Sequence, residues 1–121
     1  MINSILHSSI LVADTSASLE FYQKTLGLKV DPSRPNLGYP GAWLNIGKQQ
    51  IHLIELPNPD PIDGRPKHGG HDRHIALSSN QFDQIIDRLK TNQIDFTLSR
   101  SGRNALFFRD PDGNAIEVIG T

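Results

Sequence analysis

The chain has no cysteine among its 121 residues. That excludes a disulfide framework, a thiolate nucleophile and a thiolate metal site, so any bound metal must be held by nitrogen and oxygen. An excess of charge of either sign is also missing. Twelve Lys and Arg stand against 13 Asp and Glu, for a formal net charge of -1, which gives no electrostatic bias toward nucleic acid or a membrane surface. Long apolar runs are absent too: the stretch Ile5 to Val12 is broken by His7, Ser8 and Ser9 and has no basic lead-in. Neither a signal peptide nor a membrane span is expected, and the reading is a cytoplasmic protein. No Gly-rich phosphate loop, nucleophile elbow or basic aromatic patch occurs. What remains is a hydrophobic share of 36%, enough for one compact unit or for two very small subdomains sharing a core.

Two segments carry helical period. Phe82, Ile85, Ile86 and Leu89 follow the i, i+3, i+4, i+7 pattern, with Ser79 or Asn80 as N-cap, Asp83 in the first turn, and Arg88 and Lys90 near the end. Asp14 to Leu26 sets Leu19, Tyr22 and Leu26 on one stripe, with Asp14 or Thr15 as N-cap and Gly27 just past the end. Around these helices lie short strand-like runs, predicted near 5–12, 28–31, 42–46, 50–56, 73–78, 96–98, 105–109 and 114–119. Gly47-Lys48 and Asp110-Pro111-Asp112-Gly113 supply turns between them. Each helix thus follows one strand and precedes three.

The order βαβββ occurs twice. Module one covers 1–57, a Pro- and Gly-rich linker covers 58–71, and module two covers 72–121. A shift of 67 lays His7 on His74, Leu19 on Ile86 and Tyr22 on Leu89, while a shift of 62 lays Ile54-Glu55-Leu56 on Ile116-Glu117-Val118. Each copy therefore opens with a histidine strand and closes with a glutamate strand.

Side chains alternate between the faces of a strand. On that basis Leu6, Ile10 and Val12 oppose His7, Ser9 and Leu11, and Ile75 and Leu77 oppose His74, Ala76 and Ser78. Ile54 and Leu56 oppose Glu55, and Ile116 and Val118 oppose Glu117, which leaves His52 on the helix side. If the helices cover the purely apolar face, His7, Glu55, His74 and Glu117 share the other one. Two imidazoles and two carboxylates gathered there are unfavourable as bare groups, and a divalent cation removes the penalty. The set suits one Zn, Ni, Co, Mn or Fe ion per site. Ser9 shares that face and can hydrogen-bond a ligand. Trp43 and Tyr39 lie on and before the third strand, as core or as pocket wall. Arg100 and Arg103, in the loop Ser99 to Asn104, can meet an anionic substrate or stay solvated. His68, His71 and Asp72 read as a solvated loop of the linker.

Several stretches look alike to one family: His7-Ser8-Ser9-Ile10-Leu11-Val12-Ala13-Asp14, Phe21-Tyr22, Leu26-Gly27-Leu28, His74-Ile75-Ala76-Leu77, and Phe108-Arg109-Asp110-Pro111-Asp112-Gly113 through Ile116-Glu117. Together they resemble the vicinal oxygen chelate superfamily of glyoxalases, bleomycin- and fosfomycin-resistance proteins and extradiol dioxygenases. The resemblance implies an α+β fold of two βαβββ modules, an incompletely closed, barrel-like mixed sheet with the helices on its outer face. It also implies a homodimer whose sites are shared between chains. In its metal shell the chain looks most like glyoxalase I, with His7, Glu55, His74 and Glu117 as ligands and Glu117 or Glu55 as the proton-transfer base. The implied reaction isomerises a 2-oxoaldehyde–thiol hemithioacetal through a metal-stabilised enediolate, with glutathione or another thiol as co-substrate. Four residues after the first histidine, where that enzyme carries an arginine for a glutathione carboxylate, stands Leu11, which takes the place in the substrate wall. A fosfomycin-type thiol transferase, an extradiol dioxygenase and a non-catalytic drug-binding protein are the alternatives on the same scaffold.

Overall fold

In the computed structural model, which describes residues 1–121, the order βαβββ is built twice. Module one contains β1 (His7–Leu11), α1 (Thr15–Leu26), β2 (Lys29–Val30), β3 (Gly41–Ile46) and β4 (Gln49–Ile54). Module two contains β5 (His74–Ser79), α2 (Phe82–Thr91), β6 (Phe96–Leu98), β7 (Ala105–Arg109) and β8 (Ala115–Gly120). Each forms a four-stranded mixed sheet, in the orders β1-β4-β3-β2 and β5-β8-β7-β6, and neither sheet closes into a barrel. In both, the opening strand runs parallel to the closing strand while the inner strands pair antiparallel. This is the two-module α+β architecture that the sequence pattern predicts, with the first two strands shorter than expected.

The helix boundaries follow from local chemistry. Asp14 sits in extended backbone and its carboxylate accepts the N–H of Ala17 at 3.1 Å, so α1 starts where the cap ends. Gly27 closes the helix at φ 65°, a left-handed turn that costs a glycine little, and returns its N–H to Gln23. The start of α2 differs from expectation. Ser79 stays in β5, paired with Gly120, and its hydroxyl accepts the N–H of Gln81; the helix then begins at Phe82 without a side-chain cap. Asp83 in the first turn complements the helix dipole there.

One core serves both modules. Tyr22, Leu44, Ile51 and Leu53 from module one meet Leu89, Leu106, Ile116 and Val118 from module two on the helix side of the two sheets. The alternation along each strand sends Ile51 and Leu53, or Ile116 and Val118, into this core and leaves the other parity for the opposite face. A polar latch crosses the same boundary. Tyr22 has no exposed surface, and its hydroxyl donates to Asp110 Oδ2 at 2.7 Å. Asp110 Oδ1 in turn accepts the N–H groups of Asp112 and Asn114, which folds the turn between β7 and β8. From that turn Asp112 accepts the N–H of Ala13, and Asn114 donates to the carbonyl of Leu11. The tight turn of module two thus holds the junction between β1 and α1.

The linker is less solvated than its composition suggests. Gly69–His71 forms one 3-10 turn, and a Cβ on Gly69 would lie 3.2 Å from Phe107 Cβ, so the backbone rests directly on the open face of module two. His68 packs edge-on against Phe107, and its Nδ1 meets the Thr97 hydroxyl at 2.7 Å. Asp72 anchors the end of the segment. It accepts two bonds from the Arg65 fork and one from Arg109, and these guanidiniums hold its carboxyl well below the usual range. Burial of apolar surface under the turn and this charge cluster together override the turn-forming composition.

The latch makes two measurable statements. Tyr22→Phe removes the donor from a buried carboxylate and should lower the unfolding free energy by about 2 kcal/mol in urea titrations; a change within error would show that the bond contributes nothing. Burial raises the pKa of Asp110, so the folded chain keeps this proton to higher pH than the unfolded chain. Its stabilising contribution is complete below the unfolded carboxyl value of about 3.9 and is lost as pH rises through the folded value. The stability of the native chain relative to Asp110→Asn should accordingly fall as pH rises above that point, and parallel curves would contradict the linkage.

Candidate metal centre

The parallel pairing of opening and closing strands decides which side chains face one another. In module two His74 pairs with Ala115, so Ala76 pairs with Glu117 and both Glu117 and His74 lie on the face away from the helices. Glu117 is only 3% exposed, unusual for a carboxylate. Its Oε1 accepts from Arg103 Nη2 at 2.9 Å, and its Oε2 stands 3.2 Å from His74 Nε2. Phe107, opposite Glu117 on β7, packs edge-on against the His74 ring and fills the space beside the pair.

The proton on His74 can be placed by chemistry. Its Nδ1 lies 2.8 Å from the carbonyl oxygen of Asp72. A carbonyl only accepts, so Nδ1 carries the hydrogen. In the neutral ring Nε2 then holds a lone pair aimed at a carboxylate oxygen. Two acceptors at that distance repel one another unless a proton or a cation stands between them. Donors about 2.1 Å from one metal ion, at angles between right-angled and tetrahedral, lie roughly 3.0 to 3.4 Å apart. The observed 3.2 Å falls in that interval. A histidine with one nitrogen donating to a backbone carbonyl and the other free is also the usual arrangement behind a metal ligand. The residues present therefore fit a divalent cation.

In module one the register differs from the sequence expectation. His7 pairs with Gln50, so Ser9 pairs with His52, and His52 is the counterpart of Glu117. The His52 ring lies on the open face, 3.9 Å from the His7 ring at 12° and 4.6 Å from Trp43 at 10°, a three-ring stack. Glu55 points to the helix side. Its backbone N–H continues the pairing by donating to Pro40, and its Oε1 accepts the N–H of Thr15 at 2.8 Å, at the first turn of α1. Ile54-Glu55-Leu56 matches Ile116-Glu117-Val118 in letters but not in pairing, because Gln50 and Ala115 are the residues set opposite the two histidines. Placing Glu55 beside His7 is thereby corrected, as is placing His52 on the helix side. Ile51 and Leu53 flanking His52 carried the signal: they alternate as core residues and leave His52 facing out.

The hydrogen-bond network also assigns the His52 ring. Gln50 Nε2 donates to Asp31 and Asn45, so Gln50 Oε1 is the atom facing His52 Nε2 at 2.8 Å and must accept. The hydrogen sits on Nε2 and the lone pair on Nδ1. Partial burial first, then the neighbouring His7 and Arg34, push this histidine below its ordinary pKa, which favours the neutral ring.

Each module thus presents one pair of donors, His7 with His52 and His74 with Glu117, and no three of them meet within the chain. Ser9 and Leu11 line a cleft of about 400 Å³ between the modules, together with Arg65, Asp72, Arg73 and His74. Trp43 lies half-buried against His52 rather than in the core. Arg100 is exposed and near enough to His68 to depress its pKa, after burial of that ring. Arg103 is the loop arginine that reaches the site.

Comparison with known proteins gives the family. The family model of the Glyoxalase/Bleomycin resistance protein/Dioxygenase superfamily matches residues 4–118, and the chain belongs to that superfamily. It is 32% identical to a protein of Arabidopsis thaliana named Glyoxylase I 4, over 97% of this chain and 70% of that one. It is 29% identical to the lactoylglutathione lyase of Escherichia coli O157:H7, over 95% and 90%. Its fold superposes with a TM-score of 0.78, at 20% identity and over 100% and 95% of the two chains, on a mutant of the fosfomycin resistance protein FosX from Listeria monocytogenes. That crystal contains Mn(II) and 1S,2S-dihydroxypropylphosphonic acid. No helix of the present chain is long and apolar enough to cross a membrane.

Since Glu55 caps α1, Glu55→Ala should cost about 1 kcal/mol of unfolding free energy, the usual effect of losing an oxygen from a helix N-terminus. Thermal or urea unfolding measures it. A variant as stable as the native chain would show that Thr15 gains nothing from the carboxylate.

Proposed function

We propose that the chain is a divalent-metal-dependent enzyme of glyoxalase type. It isomerises a vicinal-dioxygen substrate, such as a 2-oxoaldehyde–thiol hemithioacetal, by moving a proton between adjacent carbons. The observation that carries this reading is His74 Nε2 standing 3.2 Å from a buried carboxylate oxygen of Glu117, with Nδ1 turned to a backbone carbonyl, an arrangement that a bound cation stabilises. His7, His74 and Glu117 hold the ion, and His52, through Nδ1, takes the place that the letter match gives to Glu55. When bound, the metal supplies a Lewis acid that steadies negative charge on the substrate oxygens.

The chain's own residues do the rest. Glu117 Oε2, released from the ion for the transfer, would take the proton from one carbon and return it to its neighbour, because Oε1 already accepts from Arg103. Ser9 and Leu11 form the wall beside His74, the serine offering one hydroxyl and the leucine an apolar surface. Trp43 keeps the His52 ring in its plane. With Leu11 in that wall, the thiol half of the substrate is held by apolar contact rather than by an ion pair at this position.

Because no three donors meet in one chain, the site is completed by a second copy, module one of one protomer facing module two of its partner. Two features favour such a partner. β1 and β5 each leave one edge unpaired, and Ile5 and Leu6, leading into β1, are 72% and 69% exposed.

Metal analysis after loading with nickel or zinc, followed by loss of the methylglyoxal–glutathione hemithioacetal, tests the reaction; no turnover with either metal sinks the glyoxalase assignment. His52→Ala should weaken metal binding by at least tenfold while Glu55→Ala leaves it within about twofold, on the scale of a lost ligand against a remote cap; the reverse order would restore Glu55. His7→Ala and Glu117→Gln should each be inactive. Refolded together in equal amounts they should regain about a quarter of native activity, since half the dimers are mixed and carry one intact site of two. No recovery would show the sites not to be shared.

A further inference from the structure

Arg103 has an unusual position for a loop arginine. Its side chain is 56% exposed, yet one of its amino groups is committed to a carboxylate that is 3% exposed. A solvated arginine has no reason to reach inward, and an ion pair between two surface groups adds little. Here one partner is buried, and the pair lies directly behind the oxygen that faces His74. Nη2 is the only guanidinium nitrogen of Arg103 with a protein partner; Nε and Nη1 stay free at the rim. The backbone supports the reach. Gly120 donates to the Asn104 carbonyl and Ser99 to that of Ala105, so the loop is tied to β8 and β7 on both sides of the arginine.

Resting on the metal reading above, we propose that Arg103 is a positioning residue that gives the two oxygens of Glu117 different tasks. It holds Oε1 and thereby aims Oε2 at His74 and the ion, and its free donors face an anionic group of the substrate. A carboxylate without that bond would turn about its last torsion and could offer both oxygens to the metal. With the bond kept, Glu117 would present Oε2 alone to the ion. Repulsion between guanidinium and metal works against binding, but more than half of Arg103 lies in water, which screens it, while the orienting bond is short and on the buried side. Orientation outweighs repulsion on these terms. The substrate class that follows is a vicinal-oxygen compound carrying a carboxylate or phosphate-like group next to the chelating atoms.

Cobalt(II) titration of the metal-free protein, followed by visible absorption, tests the positioning role independently of turnover. Arg103→Gln should bind cobalt about tenfold more weakly, the usual scale for a lost partner of a ligand, with an altered absorption band; Arg103→Lys should recover most of both. Oxalate, a vicinal-oxygen dianion, should bind the cobalt-loaded native protein more tightly than the Gln variant by a larger factor than neutral catechol does. Unchanged affinity and band in Arg103→Gln, tighter cobalt binding in that variant, or equal losses for oxalate and catechol would each overturn the proposal. If the native protein binds no cobalt, the metal reading itself fails, a result distinct from the other three. Circular dichroism of the variants at the titration temperature should match that of the native chain, which keeps a folding defect from imitating the effect.

Discussion

The structure depends on the parallel pairing of each module's first strand with its last. Once His7 is set opposite Gln50 and His74 opposite Ala115, the alternation of strand side chains leaves no choice about what faces the open side. A slip of one residue in β4 would bury His52 and expose Leu53. The helices follow from the same pairing, since parallel neighbours need a crossover and α1 and α2 lie within those crossovers, covering the apolar faces. The donors are thus a by-product of the register that builds the core.

Much of this could be read from the sequence, and the failures are instructive. The two helices announce themselves through period and, for α1, through Asp14 and Gly27. His7 and His74 fall on matching strands because both modules open identically. In the closing strand of module one, matching Ile-Glu-Leu to Ile-Glu-Val compares letters, whereas position in a sheet is counted from the hydrogen-bonded neighbour. Counted from the paired histidine strands, His52 rather than Glu55 lies on Glu117. The linker failed for another reason. Proline and glycine report backbone freedom and say nothing of Arg65, Asp72 and Arg109, which come together only in three dimensions.

The molecule also separates stability from chemistry. Tyr22 and Asp110 join the modules through the core side, where each partner is satisfied and water is excluded. His52 and Glu117 occupy the opposite side, where each has an orienting neighbour, Gln50 or Arg103, and one atom left over. Glu55 lies on the helix side, its carboxylate accepting the N–H of Thr15.

The repeat is symmetrical in backbone and asymmetrical in donors, with an imidazole at position 52 where the second module has a carboxylate at 117. In the proposed set this leaves one formal negative charge among four groups. A dication there would retain one positive unit, where two carboxylates would have brought it to neutrality. A duplicated unit that changed a single side chain in one copy would in that way have converted an electrically balanced cage into an electrophilic one, with a standing preference for negatively charged guests.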